Sequence, residues 1–175
     1  MKAWCQGEEL AILQVPGTMV NTVGKTLSEV NQAYIAGLID ADGAIMASIE
    51  HHPEKKYKFR VRVIIKVTQK NREVLDWLLH QTKVGIVCKN REIYDWIIRS
   101  QEDVFNLLNK IKPFVRVKKK QLDLALEILK FPALSFQDLL NKARLADTLA
   151  SFNVRSKNRR KNYVSKIQEF VSRND

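Results

Sequence analysis

Residues 34–43 read YIAGLIDADG and lie within a stretch of helical periodicity. Apolar residues recur at intervals of three and four from position 30 to position 39, which predicts a helix that is apolar over most of its surface. A helix of this kind must be buried. Its small residues favour close packing against a second helix; they are Ala33, Ala36 and Gly37.

The two ends of this helix carry separate signals. Thr26 and Glu29 have the spacing of a capping box, which predicts that the helix starts at Thr26, and Gly43 marks its end. Asp40 and Asp42 therefore lie at the C-terminus, where the helix dipole is already negative. A hard divalent cation would compensate for two carboxylates there. The alternative is that both aspartates simply form the turn around Gly43.

The stretch from Tyr57 to Gln69 alternates with a period of two and predicts a strand. Its odd positions are apolar. Its even positions are mostly cationic, with Lys58, Arg60, Arg62 and Lys66 around Ile64. We expect one face in the core and one face suited to the phosphates and bases of nucleic acid.

The whole chain reads as an α+β fold with an αββαββα core, an antiparallel sheet and C-terminal helices. Residues 1–25 are predicted to form an irregular N-terminal extension, and residues 26–175 one domain. Strands are predicted at 44–50, 57–69, 84–90 and 93–99, with a hairpin turn at 51–55. Further helices are predicted at 72–82, 101–111, 118–130, 136–150 and 160–172.

Charge and composition limit the classes of function. The 175 residues include 30 Lys and Arg against 19 Asp and Glu, a net charge of +11. This surplus favours either nucleic acid or an acidic membrane surface as partner. No run of eighteen apolar residues occurs, so we expect no membrane span. Two cysteines and a poor signal peptide favour an intracellular protein of the host cytoplasm, nucleoid or an organelle, not a secreted one.

Residues 35–43, IAGLIDADG, differ from the LAGLIDADG motif only in the first letter. The chain thus resembles the LAGLIDADG homing endonucleases, and its single copy of the motif resembles their homodimeric, intron-encoded branch. The resemblance implies a curved DNA-binding sheet and a homodimer packed through the motif helices, which reads a long, roughly palindromic site. The residues that it places at the dimer interface are Ala33, Ala36, Gly37 and Asp40.

Two later segments extend the resemblance: VTQK at 67–70 and PFVRVKKKQ at 113–121. They imply a catalytic centre of Asp42, Gln69, Lys118 and Arg72. Asp42 and the backbone carbonyl of Ala41 would bind Mg²⁺, with Mn²⁺ as a substitute and Ca²⁺ binding without cleavage. Gln69 would position water or metal, and Lys118 would organise solvent and offset negative charge in the transition state.

The sheet is expected to read double-stranded DNA in the major groove. The expected DNA contacts of the sheet are Ser48, Lys58, Arg60, Arg62, Lys66, Asn90 and Asp95. Expected phosphate contacts are Lys119, Lys120, Arg155, Lys157, Arg159, Arg160 and Lys161. The predicted activity is metal-dependent hydrolysis of one phosphodiester on each strand. The alternatives are an RNA maturase that binds intron RNA and a DNA-binding regulator with the same fold.

Overall fold

A computed structural model describes residues 27–132, 134–153 and 162–172. Its elements confirm the αββαββα order, which three further helices follow. They are α1 Glu29–Asp42, β1 Gly43–His51, β2 Phe59–Gln69, α2 Arg72–Thr82, β3 Ile86–Asn90, β4 Ile93–Ile98, α3 Gln101–Ile111, α4 Lys119–Lys130, α5 Phe136–Asn153 and α6 Tyr163–Ser172. The predicted extension at 1–25 lies outside the described residues.

Helix α1 starts two residues later than its capping pattern predicted. Ser28 is the N-cap, and its hydroxyl accepts a hydrogen bond from the Asn31 amide at 3.2 Å. A serine hydroxyl at this position satisfies one of the free amides of the first turn. The prediction that Thr26 begins the helix is therefore wrong, and Glu29 is the first helical residue rather than the partner of a cap.

Gly43 allows the chain to pass directly from α1 into β1. A Cβ on this residue would lie 2.6 Å from the Ile39 Cα and 2.8 Å from the Ile39 carbonyl oxygen. No side chain can occupy that space, because both of those atoms belong to the backbone. The Gly43 amide instead donates to the Ile39 carbonyl. Asp42 is thereby held at the junction of the helix and the sheet.

The four strands form one antiparallel sheet in the order β1-β2-β4-β3. The alternation predicted for β2 is confirmed, since Val61, Val63, Ile65 and Val67 are buried while the residues between them are partly exposed. Lys58 was predicted on the cationic face of this strand, and that prediction is wrong. Lys58 lies in the preceding turn with a φ of 58°, and its ammonium donates to the Pro53 carbonyl at 2.7 Å.

The helices cover one face of the sheet and form a single core with it. Strand β4 pairs only with residues 65–69 of β2, so the earlier part of that strand edge needs other partners. The Gln101 side chain provides them by accepting from the Val63 amide at 2.8 Å and donating to the Val63 carbonyl at 2.9 Å. Tyr163 ties α6 to β1 by donating to the Ala47 carbonyl at 2.9 Å. Burial and the nearby Asp147 raise the pKa of Tyr163 to about 12.

The predicted helices 72–82 and 101–111 agree with the structure residue for residue. The other boundaries shift by a few residues: α5 continues to Asn153, and the last helix begins at Tyr163. Among the described helices, none is both long and apolar enough to cross a membrane.

Candidate active site and nucleic-acid interface

The end of α1 brings together two residues of the predicted catalytic centre. Asp42 is the last residue of α1, and Gln69 is the last residue of β2. The Gln69 amide nitrogen donates to Asp42 Oδ2 at 2.7 Å. The pairing of β1 with β2 causes this contact, since Gly43 lies opposite Val67 and the end of β2 therefore reaches the helix end. Asp42 is exposed, so its carboxylate is oriented but still accessible.

Asp40 fixes the segment that carries Lys118. Its Oδ2 accepts from the backbone amides of Arg116 at 2.6 Å and Val117 at 3.1 Å, and its Oδ1 accepts from the Lys118 amide at 2.9 Å. Burial raises the pKa of Asp40, but the three backbone donors and the Lys118 charge outweigh it and hold the pKa below its ordinary value. The carboxylate is thus committed to its own protomer, where it anchors a loop rather than only forming a turn.

Lys118 lies at the same end of α1. Its ammonium donates to the Asp40 backbone carbonyl, one of the last carbonyls of the helix, which have no partner within it. The positive charge also compensates the negative end of the helix dipole. The structure therefore places Asp42, Gln69 and Lys118, which are far apart in sequence, around one helix terminus.

Arg72, the fourth residue of the predicted catalytic centre, contacts Asp76 and Tyr94. Its guanidinium pairs with Asp76 at 3.1 Å and lies over the Tyr94 ring, 5.8 Å from the centroid. Tyr94 is directly opposite Gln69 in the sheet. Arg72 is thus linked to Gln69 through the intervening Tyr94. Its catalytic role stays a prediction.

One face of α1 is exposed and partly apolar. Val30 is 78% exposed and Tyr34 is 54% exposed, and Ala33 and Gly37 are exposed on the same side. A Cβ added to Gly37 would meet no atom within 4 Å, so the described protomer does not itself require glycine there. Ala36, predicted at a dimer interface, is fully buried in its own protomer. That part of the prediction is wrong, because Ala36 is packed in the core of its own protomer.

The solvent-facing side of the sheet carries an acid on β1 beside the cations that the β2 pattern predicted. Glu50 on β1 lies directly opposite Arg60 on β2. Its Oε2 accepts from Arg60 Nε at 2.9 Å and lies 2.8 Å from Arg60 Nη2, while its Oε1 is 3.2 Å from Arg62 Nη1. Glu50 was not predicted as part of this face. Predicted strands that end at 50 and begin at 57 would pair Glu50 with Tyr57, whereas the observed register pairs it with Arg60.

A third cation on this face is also paired with an acid. Lys66 contacts Asp95 on β4 at 2.7 Å, and Thr68 and Asn90 donate to the same carboxylate at 2.5 and 2.9 Å. Burial raises the pKa of Asp95, but these three partners lower it below its ordinary value. Asp95 is only 3% exposed, so its prediction as a DNA contact is corrected. It instead orients Lys66 and Asn90, which are accessible.

The remaining predicted contacts are distributed as follows. Lys119 and Lys120 are exposed in the first turn of α4. Ser48 lies opposite Arg62, but its hydroxyl oxygen is buried and has no hydrogen-bond partner among the described residues, so its prediction as a DNA contact is corrected. The described residues contain no cluster of three or more His, Cys, Asp or Glu side chains that could hold a metal. The remaining predicted phosphate contacts lie outside the described residues; they are Arg155, Lys157, Arg159, Arg160 and Lys161.

The fold and the site agree with the motif, since α1 ends with Asp40 and Asp42 in its last turn and passes directly into an antiparallel sheet. The family model for the LAGLIDADG endonuclease matches residues 35–128, more than half of the chain. The chain belongs to the LAGLIDADG endonuclease family, as the motif predicted.

Individual relatives agree with this assignment. DNA endonuclease I-CreI of Chlamydomonas reinhardtii is 34% identical over 98 residues, which are 55% of this chain and 60% of that protein. Homing endonuclease I-CvuI, solved with the I-CreI target and Mg with the DNA not cleaved, is 26% identical with a TM-score of 0.73. That match covers 83% of this chain and 94% of I-CvuI. The archaeal intron-encoded I-Vdi141I, complexed with DNA, shares the fold at 24% identity and a TM-score of 0.70, over 81% of this chain and 96% of that chain.

Proposed function

We propose that this protein is a site-specific homing endonuclease that binds a long, roughly palindromic duplex as a homodimer and hydrolyses one phosphodiester on each strand. The observation that carries the proposal is the contact between Gln69 and Asp42 at the end of α1, with Lys118 held at the same terminus. Family membership and the DNA complexes of I-CvuI and I-Vdi141I support DNA as the partner.

The residues at the helix end fit half of a divalent metal site. Each protomer offers the Asp42 carboxylate and the Ala41 carbonyl, which is also at the C-terminus of α1. Mg²⁺ prefers six oxygen ligands in octahedral geometry and is usually completed by water and substrate phosphates. Two ligands per protomer are too few alone, so we expect a complete site only between two protomers and DNA. I-CvuI has been solved with Mg and with Ca, which supports a divalent cation.

A bound Mg²⁺ supplies an activated water and stabilises charge on the phosphate oxygens. The Gln69 amide donates to Asp42 Oδ2 at 2.7 Å and thereby orients the carboxylate. Lys118 contributes a positive charge to offset the charge that develops on the phosphate. Asp40 positions Lys118 through its three amide contacts. We expect Mn²⁺ to substitute and Ca²⁺ to support binding without cleavage.

The exposed face of α1 supports the homodimer. A glycine in the middle of a helix costs about 1 kcal/mol relative to alanine. The described protomer gives no steric reason for Gly37, since a side chain there would meet open space. A second copy of α1 packed against this face provides that reason, and it would also cover Val30 and Tyr34. It would bring two Asp42 residues together at the two-fold axis.

The test is cleavage of a pool of duplexes that span candidate intron-insertion regions. We expect discrete double-strand cuts at one preferred sequence with Mg²⁺ and no cuts with a chelator. Failure to cut a sequence that the protein demonstrably prefers to bind would contradict the nuclease proposal.

Duplex DNA as substrate implies an intracellular location, in the host cytoplasm, nucleoid or an organelle.

Two further functions remain compatible with the fold: an RNA maturase that binds intron RNA, and a DNA-binding regulator. The oriented Asp42 favours the nuclease over a regulator, which would need no carboxylate at the helix end. An Asp42→Asn variant distinguishes the functions. If the protein is a maturase, Asp42→Asn should still bind intron RNA and assist splicing. If it is a nuclease, the same variant should no longer cleave DNA strands.

A further inference from the structure

The solvent-facing side of the sheet contains two acid-paired clusters separated by Ile64. The first consists of Glu50 with Arg60 and Arg62, and the second of Asp95 with Lys66. In these two clusters of described residues, three cations therefore face two acids, and their charges are nearly balanced. Phosphate binding alone would be weakened by such pairing, since unpaired cations bind phosphates more tightly. The acids call for another explanation.

We infer that Glu50 is a positioning residue that determines specificity, by holding Arg60 and Arg62 as one rigid unit for reading two nearby guanines. This inference rests on the proposed function, since it assigns bases to the surface that would bind the target. Glu50 touches no base itself in this scheme. It acts through the two arginines.

The donors of the two arginines are compatible with this role. A guanidinium has five N–H donors. Glu50 occupies the Nε and Nη2 side of Arg60 and contacts Nη1 of Arg62. Each arginine retains at least two donors, the number that bidentate contact with guanine O6 and N7 requires. The side chains of Arg60 and Arg62 are 36% and 21% exposed, so both are accessible while they are held.

The spacing of the pair sets the expected footprint. Residues two apart on one strand face lie about 6.7 Å from each other. Base pairs are about 3.4 Å apart along the duplex. Arg60 and Arg62 therefore reach positions that are within about two base-pair steps of each other, on either DNA strand.

Holding the arginines also limits binding to other sequences. A free arginine can swing to the nearest phosphate, which carries no sequence information. An arginine held by Glu50 must break its ion pair to reach a phosphate. The pairing thus disfavours phosphate contacts on wrong sequences and leaves the guanine contacts on the right one, which increases discrimination through both effects.

The test is selection of bound sequences from a randomised duplex library by the full chain without Mg²⁺, so that binding is measured without cleavage. Glu50→Gln is compared with Glu54→Gln. The control removes the same charge from an exposed glutamate of the neighbouring turn that is in no ion pair with the arginines. We expect Glu50→Gln to lose about three- to tenfold discrimination at two guanine positions. We also expect the affinity of Glu50→Gln for random DNA to fall more steeply with salt, so that the slope of log K against log[salt] steepens by about 0.9 per protomer.

A double-mutant comparison separates positioning from a general structural effect. If Glu50 acts through the arginines, Glu50→Gln should change nothing further in a chain that carries Arg60→Gln and Arg62→Gln. Equal melting temperatures of Glu50→Gln and Glu54→Gln would show that both variants are folded. If Glu50→Gln misfolds, the alternative variant Glu50→Asp, which keeps the charge but shortens its reach, should relax the same two positions.

The outcomes separate this inference from the proposed function. No preferred sequence for the wild type would overturn both. A preferred sequence that Glu50→Gln selects as sharply as Glu54→Gln, or one that lacks guanines within two steps of each other, would overturn the role of Glu50 alone. Broadening at two nearby guanines only in Glu50→Gln supports it.

Discussion

The substitution Asp40→Asn tests how residues 116–118 are attached to α1. The carboxylate uses Oδ2 for the Arg116 and Val117 amides and Oδ1 for the Lys118 amide, at 2.6, 3.1 and 2.9 Å. Asparagine has the same shape but only one oxygen, and its NH₂ group would face an amide donor. At least one of these contacts must be lost.

The expected loss of stability follows from these contacts. Hydrogen bonds to a charged group contribute about 1.5–3 kcal/mol each, and solvent recovers part of that at a partly exposed residue. We expect the free energy of unfolding to fall by about 2–4 kcal/mol. For a chain of this length, the melting temperature would fall by about 5–15 °C. Denaturant and thermal unfolding measure both quantities, with Asp76→Asn as the control, because it makes the same change in an exposed ion pair with Arg72. That control should cost less than about 1 kcal/mol.

The pH dependence adds a second test of the same contacts. Burial raises the pKa of Asp40, but the backbone donors and Lys118 lower it below its ordinary value of 3.8. A lowered carboxyl pKa stabilises the fold above the unfolded pKa, and this stabilisation is lost as the pH falls through the folded pKa. The difference in the free energy of unfolding between wild type and Asp40→Asn should be complete at pH 7 and shrink below about pH 4. An Asp40→Asn protein as stable as wild type, or a deficit that is independent of pH, would refute the role assigned to Asp40.

Three further predictions concern Gly37 on the exposed face of α1, Gln69 beside Asp42, and Asp95 in the sheet. Gly37→Leu should leave the protomer folded, because the added side chain meets open space. It should weaken self-association at least tenfold in sedimentation equilibrium, whereas the control Thr148→Leu on α5 should leave self-association unchanged. Gln69→Ala should lower the cleavage rate constant about 10²-fold or less while binding of the duplex changes little, since it removes only the donor that orients the carboxylate; a weakened duplex affinity with an unchanged rate would argue against that role. Asp95→Asn should weaken the hold on Lys66 and destabilise the protein by about 1–3 kcal/mol in chemical denaturation; unchanged stability would contradict the buried contacts.

Local sequence signals predicted most of the fold. Period-two alternation identified β2, and the helix-forming segments between 72 and 111 were located to the residue. These signals are local, because each depends on which face of a single element is buried. The start of α1 was missed for a local reason as well. Two hydroxyl residues, Thr26 and Ser28, compete for the N-cap, and the structure uses Ser28.

The candidate site was predicted only in part. The motif and its two companion segments identified the residues around the end of α1, but not how they are held. The anchoring of Lys118 by Asp40 spans 78 residues of sequence. The pairs Glu50–Arg60 and Asp95–Lys66 depend on cross-strand register. Alternation along one strand cannot report which acid lies on its neighbour. For that reason the pairing of Arg60 and Arg62 with Glu50 was not predicted.

Asp42 offers the most direct test of the account. Wild type and Asp42→Asn should be compared on one preferred duplex, with binding measured in chelator and strand cleavage measured in Mg²⁺. We expect the variant to bind with equal or greater affinity, because it lacks a negative charge near the phosphates, and to cut neither strand. Cleavage by the variant at a rate close to that of the wild type would contradict the assignment of Asp42 as the central carboxylate of a metal-dependent nuclease.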